Sequence, residues 1–482
     1  FVNNDIQLED NSNIYLRAEA QLLQNVDVQN SDGGSLSVYQ KQTSSGGVAT
    51  GIHQYNYWSS PVGTPVAITG TNVVDSDKKN TDFSISNLYK PQDPTTNSNI
   101  TSNIYGITNS YDSNVNEIAK YWLWQMQSSG GYNGWQHVSN FGSVNSSYGF
   151  TMKGIPSSSA NPNTIDFRGR PNTGDLSIDC NFDGTDSDPN SGFDDQVETL
   201  TGNPYPSTMD LKKFLIDSDN ASSLDGKVYF WEQKDTGSHY LADYQGGYAM
   251  YIPGDPSDMG DDGSYTKAPF STYDNLGGDL GTDSGENTSD YDSQHSRRYA
   301  AIGQGFVVRS EGIGMTGGKI KNDMRLYVKN IVGSSSDVFA RTTQESTNDN
   351  NDKVIAMSHN GIDYQNIINN PLIIPEIKIH TKLNDSYYRE NLIAFRQSTD
   401  LSYKKFTDGK LPSVLATDTY FIADDIKLGI KSIEYDIDIK LPFGLNAENE
   451  TNTYSVTIHK MNDISESVEV YIHDKELGTY ND

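Results

Sequence analysis

Short runs in which apolar and polar residues alternate recur along almost the whole chain, and Gly, Asn, Asp and Ser bound them. Ile433–Leu441 (IEYDIDIKL) and Tyr454–Ile458 (YSVTI) are clean examples. A period of two places alternate side chains on opposite faces of a β-strand, whereas the 3.6-residue period of an amphipathic helix is nearly absent here. The pattern therefore predicts an all-β protein, and we expect a large β-sandwich with long loops as its main body.

Changes in composition divide the chain into four predicted segments. Residues 1–45 hold brief, evenly spaced runs, which are typical either of a short β-solenoid or of the opening hairpins of the next domain. Residues 46–340 contain all five tryptophans and long Gly/Asn/Asp loops, and they predict the large aromatic-rich β-sandwich. Residues 341–371 begin with a stretch that lacks core-forming residues and predict a linker, while 372–482 predict a second, smaller C-terminal β-sandwich.

The charge balance excludes one class of partner. The chain has 64 acidic and 35 basic residues, a net charge of −29, which argues against binding to nucleic acid. Cys180 is the single cysteine, so no internal disulfide forms, and no apolar run approaches the roughly 20 residues of a membrane-spanning helix. The acidic, Asn/Ser/Gly-rich composition favours a secreted protein. Since the sequence starts at Phe1 without a signal stretch, we expect a processed product or a fragment.

Signatures of hydrolases are mostly missing: the sequence has no G-x-S-x-G, no H-E-x-x-H and no Cys/His zinc spacing. We expect a lone histidine such as His239 to be a surface or hydrogen-bonded structural residue. Glu232 is one of many carboxylates that a glycoside hydrolase could pair, but carboxylates are too abundant here for one to indicate a site. Gly312–Gly317 matches the dinucleotide fingerprint, yet a strand-like run follows it, which predicts a hairpin turn.

An acidic stretch after residue 178 has oxygen-bearing side chains at alternate positions around a Gly turn, which is the arrangement that Ca²⁺ requires. Asn190 stands where a closing bidentate Glu is expected, so later aspartates would have to complete the shell. The alternative is a solvated acidic insertion with Asx-turns. The candidate calcium ligands are Asp179, Asn181, Asp183, Thr185, Asp188, Asp194 and Asp195.

Three tryptophans form a second candidate site. Trp122 and Trp124 lie two residues apart, on one face of a predicted strand, and Trp135 follows in the same region. Exposed indoles on a sheet are suited to stack on sugar rings, whereas buried indoles belong to the core of a sandwich. Core packing is the favoured interpretation, and burial of all three indoles would exclude the sugar site.

Several longer strings resemble those of a known protein family. In the first 340 residues they are Ile14–Gln24, Leu36–Gln40, Tyr55–Gly63, Tyr148–Gly154, Asp166–Asn172, Leu200–Ser207, Tyr229–Gln233 and Ile302–Val307. In the C-terminal segment they are Asn384–Arg389, Ile393–Phe395 and Val470–Lys475. The set resembles the large surface proteins that gliding Bacteroidota of the flavobacterial type export through the type IX secretion system. In such proteins the last string precedes a C-terminal sorting domain, so we expect a mature product. The resemblance transfers no catalytic residue to this chain.

The leading interpretation is a noncatalytic, secreted cell-surface protein, either an adhesin or a structural module, exported by the type IX secretion system. Its expected partners are the type IX translocon during export and, at the surface, glycans or further copies of the chain through open edge strands. The first alternative is a calcium-assisted polysaccharide-binding module. The second is a secreted glycoside hydrolase, which requires two carboxyl groups about 5 to 10 Å apart in a cleft.

Overall fold

The computed structural model confirms the predicted all-β class, since strands account for 42 % of the residues that it describes and helices for 9 %. The residues that the structure describes are 1–25, 30–42, 52–66, 79–98, 100–130, 132–138, 142–156, 164–181, 196–234, 236–274, 297–312, 317–329, 355–384, 387–465 and 467–481.

The strands of the first 180 residues are short. They are β1 Gln7–Leu8, β2 Asn13–Leu16, β3 Ser31–Asp32, β4 Ser35–Lys41, β5 Tyr55–Ser59, β6 Val62–Gly63, β7 Leu88–Pro91, β8 Ser102–Ile104, β9 Gly106–Thr108, β10 Glu117–Ala119, β11 Trp124–Gln125, β12 Gln136–His137, β13 Gly149–Lys153, β14 Thr164–Pro171 and β15 Leu176–Ile178.

The middle of the chain adds strands and three short helices. They are β16 Glu198–Gly202, β17 Thr208–Asp210, α1 Leu211–Ile216, α2 Ser218–Ser223, β18 Val228–Gln233, β19 Gln245–Ile252, β20 Ser264–Thr266, β21 Ser271–Thr272, β22 Tyr299–Ala300, β23 Gly305–Arg309, β24 Gly318–Ile320, β25 Arg325–Val328, β26 Ala356–Ser358 and α3 Tyr364–Asn369.

The C-terminal part contains the longest strands. They are β27 Glu376–Leu383, β28 Tyr387–Phe395, β29 Gly409–Lys410, β30 Asp418–Ala423, β31 Ile426–Ile433, β32 Phe443–Asn446, β33 Tyr454–Asn462, β34 Ile472–Asp474 and β35 Thr479–Asn481. Single 3-10 turns lie at Ile85–Asn87, Lys120–Trp122, Tyr132–Gly134, Leu241–Asp243 and Asn322–Met324.

Residues 55–171 and residues 198–328 form two repeats with the same strand pairing; we call them the first and the second repeat. In the first repeat, β5 pairs antiparallel with β13, so that Trp58 lies opposite Phe150. In the second repeat, β16 pairs antiparallel with β23, so that Thr201 lies opposite Phe306. Each repeat adds a further strand to this pair, β11 on β13 and β18 on β23. In each repeat the last strand also pairs with an earlier strand in a separate sheet, β14 with β7 and β25 with β17.

The two repeats approach each other closely at equivalent glycines. A Cβ atom on Gly149 would lie 2.6 Å from the Thr201 carbonyl oxygen in the second repeat. A Cβ atom on Gly305 would lie 2.6 Å from the carbonyl carbon of Tyr57 in the first repeat. Real side chains do not approach main chain atoms this closely, so only glycine allows each β-strand to pass its neighbour.

Each repeat has its own apolar core because residues of period two fill one face of its sheet. Trp58 and Phe167 belong to the first core, and both are 0 % exposed. Phe306 and Leu211 belong to the second core. The other face of β16, β18 and β19 forms a third core, against which the C-terminal sheet packs. The body of the molecule thus consists of several sheets packed around three cores, rather than one sandwich around a single core.

The N-terminal residues join the first repeat. β1 pairs in parallel with β3, and β2 pairs in parallel with β4. β4 then pairs antiparallel with β14 over six residues. Leu16 and Leu36 lie in the same core as Trp58, so the first strands contribute to the body of the protein.

The predicted boundaries at 45, 340 and 371 stay predictions. Within the predicted linker 341–371, residues 355–371 are described and contain β26 and α3. β26 pairs with β25, and Tyr364 of α3 is buried, with its hydroxyl donating to Asp210 over 2.8 Å. This described part of the segment packs on the second repeat.

The C-terminal sheet has the strand order β32-β30-β31-β28-β27-β33, in which only the β28–β31 pair is parallel. One of its faces contacts the second repeat, where Leu392 and Ile430 pack against Met250. A buried ion pair connects the same two parts, since Arg396 Nε lies 2.8 Å from Asp261 Oδ2.

Candidate functional site

The sheet of the first repeat presents aromatic side chains on the face opposite its core. The strand register places His137, Trp124, Thr151 and Tyr57 in one row across β12, β11, β13 and β5. Residues directly opposite each other in a sheet project from the same face. Because Trp58 enters the core, its neighbour Tyr57 must project from this other face, and the alternation along β5 thus positions the row.

Further rings extend this row at both ends, and we call the whole set the aromatic band. At one end, Trp124 lies 4.7 Å from His137 and 5.9 Å from Tyr121 between ring centroids, and Tyr121 lies 4.4 Å from Tyr111. All three of these contacts are edge-on, and such pairs stabilise the arrangement of aromatic side chains.

The other end of the aromatic band crosses to the second repeat. Tyr57 contacts Trp135 at 5.8 Å and stacks parallel to Trp231 at 6.3 Å. Trp231 contacts Tyr248 at 5.3 Å, and the Tyr57 and Tyr248 hydroxyls lie 3.1 Å apart. The band therefore reaches both repeats as two groups of rings, and Thr151 lies between them in the row, opposite Trp124 and Tyr57.

Exposure differs among the three tryptophans that the sequence singles out. Trp122 is buried at 7 % exposure, and its Nε1 donates to the Tyr111 carbonyl oxygen over 2.7 Å. Trp124 and Trp135 are partly exposed. Tyr111 and Tyr132 beside them are 58 % and 47 % exposed. The favoured core interpretation thus describes Trp122, whereas the other two indoles retain a solvent-facing surface.

Lys153 lies beneath Trp122 at the end of β13, and it is only 4 % exposed. Its Nζ lies 3.7 Å from the centroid of the Trp122 ring, and the Tyr55 and Tyr244 rings lie at 5.0 and 4.7 Å. The ammonium donates to Tyr244 Oη over 2.6 Å. Cation–π contact and hydrogen bonding together offset the desolvation of this charge. Burial raises the pKa of both tyrosines, so both phenols stay neutral.

His239 connects Lys153 to the surface. Its Nδ1 lies 2.9 Å from Lys153 Nζ, and its Nε2 lies 3.0 Å from Asp112 Oδ1. Burial and the neighbouring Lys153 and His53 lower the pKa of His239 to about 4, against the opposing effect of Asp112. The imidazole is therefore neutral at neutral pH, and the geometry assigns its proton to Nε2, which donates to Asp112, while Nδ1 accepts from Lys153.

Sequence reasoning did not identify this group of residues, because Lys153 and His239 lie 86 positions apart and no sequence period relates them. His239 is a hydrogen-bonded residue as expected, but its ring also stacks on Trp122 at 4.9 Å and 18°. A small cleft opens over the group. It is lined by Ile52, Tyr111, Asp112, Trp122, Lys153 and His239.

Glu232, the carboxylate considered for glycoside hydrolysis, is hydrogen-bonded to other residues of the protein. One carboxylate oxygen accepts from the Tyr265 hydroxyl, and the other accepts from the Ala268 amide over 3.1 Å. These contacts fix the side chain of Glu232 against β20 and the turn after it. They give Glu232 a structural role.

Two of the seven predicted calcium ligands lie within the described residues. Asp179 and Asn181 are both exposed; the Asp179 carbonyl accepts from Thr199, and the Asn181 amide donates to Ser128. Asp183, Thr185, Asp188, Asp194 and Asp195 lie outside the described residues. The part of the chain that the structure describes holds no group of three His, Cys, Asp or Glu arranged for a metal ion. Calcium binding remains a prediction from the sequence.

Residues 95–482 match the model of a family described as "Domain of unknown function (DUF8693)". The match covers most of the chain, and the protein belongs to this family. No curated protein and no solved structure matches the chain. None of the helices in the described residues is long and apolar enough to cross a membrane.

Proposed function

We propose that this protein is a noncatalytic, secreted cell-surface protein of the adhesin type, and that the aromatic band is its contact surface. The observation that carries the proposal is that the band extends over two repeats through the stack of Tyr57 on Trp231, with Trp124 and Trp135 partly exposed. Partly exposed rings combine large apolar area with low conformational freedom, so they bind a partner without first having to become ordered.

Polysaccharide is the second candidate for what the band contacts. An indole face stacks on the apolar face of a sugar ring, and successive rings along a band suit successive sugars of a chain. The condition that would exclude this ligand, burial of all three indoles, is not met, because Trp124 and Trp135 retain exposed surface. Calcium bound by the stretch from Asp179 to Asp195 would order the segment that joins the two repeats.

Retention on insoluble polysaccharides and on cell surfaces tests the proposed function. We expect Trp124→Ala and Trp135→Ala each to weaken retention about tenfold, the range of a lost interfacial aromatic anchor. Tyr480→Ala is the matched control, because Tyr480 is an exposed ring (59 %) in the C-terminal hairpin. Equal retention of all three variants would contradict the proposed contact surface.

Export through the type IX secretion system is proposed because sequence strings such as Tyr55–Gly63 and Asp166–Asn172 resemble those of exported surface proteins, and because the composition is acidic. Fractionation of the producing bacterium tests it. We expect the protein on the cell surface or in the medium of the parent strain and in the periplasm of a strain that lacks the type IX translocon. Surface display in both strains would contradict this route.

A further inference from the structure

We propose that Trp122 and Lys153 form a second, covered subsite for the ring and carboxylate of a uronic acid residue, and that His239 occupies this subsite in the closed conformation. The inference deepens the proposed function and rests on it, because it names a ligand class for the same surface. The subsite is the cleft between the Tyr111–Asp112 loop and residues 236–244.

The second repeat shows what the equivalent position binds. Arg309 occupies the place of Lys153, since each is the fifth residue of its strand and lies opposite the first residue of the partner strand. Arg309 Nε and Nη2 lie 2.7 and 2.6 Å from Oε1 of Glu198. The partner strand of the first repeat carries Tyr55 where Glu198 stands. The architecture therefore pairs a buried cation with a carboxylate in one repeat and directs the cation toward a cleft in the other.

His239 makes the two contacts that a sugar acid would make. Its flat ring lies on Trp122, and its Nδ1 accepts a hydrogen bond from Lys153. A uronic acid residue would place its ring on the indole and its carboxylate on the ammonium. A carboxylate adds the Coulombic attraction of opposite charges to the hydrogen bond that Lys153 now donates to a neutral imidazole, so the ligand would replace His239 with a gain at Lys153.

The proposed opening moves residues 236–244 away from the cleft. These residues lie between β18 and β19 and carry Tyr240, whose side chain is 78 % exposed. The contacts of His239 with Asp112 and Lys153 hold the segment over the cleft. Opening breaks these two contacts and the ring stack, together with the His53 ring contact at 4.5 Å and the hydrogen bond from the Tyr244 hydroxyl to the His239 carbonyl oxygen. The bound ligand restores the contacts with Trp122 and Lys153. Long-range repulsion between an acidic ligand and the net charge of −29 is screened beyond about 8 Å at physiological salt.

Calorimetric titration of the full chain with trimers of galacturonic, glucuronic and guluronic acid tests the subsite at 0.15 M salt, with the neutral galactose trimer as reference. We expect at least one uronic trimer to bind the His239→Ala variant about tenfold more tightly than the parent chain, because the competing ring is gone. The neutral trimer should show no such gain. His473→Ala is the matched control, since His473 also stacks on a ring, that of Tyr480 at 4.3 Å.

Two further variants separate the subsite from a general charge effect. Lys153→Met should remove the preference for the uronic trimers, and Tyr55→Glu should do the same by supplying an internal carboxylate, as in the second repeat. Tyr55→Glu keeps the positive charge of Lys153 and introduces the cation–carboxylate pair that the second repeat contains. Circular dichroism verifies that each variant is folded.

Equal binding of the uronic and neutral trimers by His239→Ala, or no binding of any uronic trimer by that variant, would overturn the proposed subsite. The Trp124→Ala and Trp135→Ala retention assay reports separately on the aromatic band. Loss of retention there together with a negative titration would leave the proposed function standing and remove only the subsite.

Discussion

Removal of the positive charge of Arg309 tests how much the buried ion pair between Arg309 and Glu198 contributes to the stability of the second repeat. The side chains of Arg309 and Glu198 are 2 % and 8 % exposed, and they are joined by contacts of 2.6 and 2.7 Å. Desolvation lowers the pKa of Arg309, but Glu198 together with Tyr229 and Asp225 more than compensates, so the pKa is raised overall. Arg309→Met leaves the Glu198 carboxylate buried without its cation, which costs about 3 to 5 kcal/mol of stability.

A double-mutant cycle isolates the interaction. Glu198→Leu combined with Arg309→Met replaces the ion pair by apolar groups of similar volume, and such replacements are about neutral, within ~1 kcal/mol. We therefore expect the double variant to be more stable than the Arg309→Met single variant by about 3 kcal/mol.

Urea unfolding followed by tryptophan fluorescence measures the effect. With a slope of about 3 kcal/mol per molar urea, the Arg309→Met midpoint should fall by about 1 M. Lys319→Met is the control, because Lys319 and its partner Asp219 are 47 % and 43 % exposed, and the loss of an exposed pair changes stability by at most about 1 kcal/mol. The reasoning would be refuted by an unchanged Arg309→Met midpoint, or by a double variant as unstable as the sum of the two single variants.

Three further predictions concern packing, protonation and calcium. Gly305→Ala should lower stability by about 1 to 3 kcal/mol or more, since the added Cβ would meet the Tyr57 main chain at 2.6 Å; the urea midpoint measures this, and an unchanged midpoint would contradict the close approach of the repeats. The pKa of His239 in the folded chain is about 4, below its usual 6.5, so the unfolded chain binds the proton first as the pH falls. The His239 contribution to stability should decline between pH 6.5 and 4, and the decline should be smaller in His239→Gln; identical pH profiles would count against the neutral imidazole. Excess calcium should raise the unfolding midpoint by several degrees relative to chelator, and Asp183→Asn should abolish the shift; no shift in the parent chain would reduce the acidic stretch to a solvated insertion.

The all-β class could be predicted because it depends on a local pattern. Alternation along Ile433–Leu441 and Tyr454–Ile458 places side chains on two faces whatever the strands pair with. All of the first run after Ile433 is an exception, since β31 ends at Ile433 and the next strand begins at Phe443, so the strand predicted there is wrong for residues 434–441. Alternation indicates that a segment suits a strand, but a strand also needs a partner with free hydrogen-bonding groups.

The two repeats could not be predicted from the residues alone. Trp58 and Thr201 occupy equivalent positions, as do Lys153 and Arg309, yet these side chains differ in size or in hydrogen-bonding geometry. Their equivalence follows from the strand register, which long-range pairing establishes. The same holds for Gly149 and Gly305, whose shared role is visible only where the other repeat passes them.

The candidate site was predictable in part. Trp124 and Trp135 were identified as candidates from residue type and spacing, but spacing does not determine burial, and Trp122 two residues away is buried by contacts with distant segments. His239 meets Lys153 across 86 positions, through a loop that joins two strands of the other repeat. No sequence period relates such residues.

The sequence by itself determined the all-β class, the acidic charge and the candidate rings, because these follow from residue type and from neighbours one or two positions away. The tertiary structure decided which rings face solvent, which cation meets a carboxylate and which meets His239. Those outcomes depend on which strands pair and in what register, and a shift of one residue in the pairing of β5 with β13 would exchange the faces on which Tyr57 and Trp58 lie.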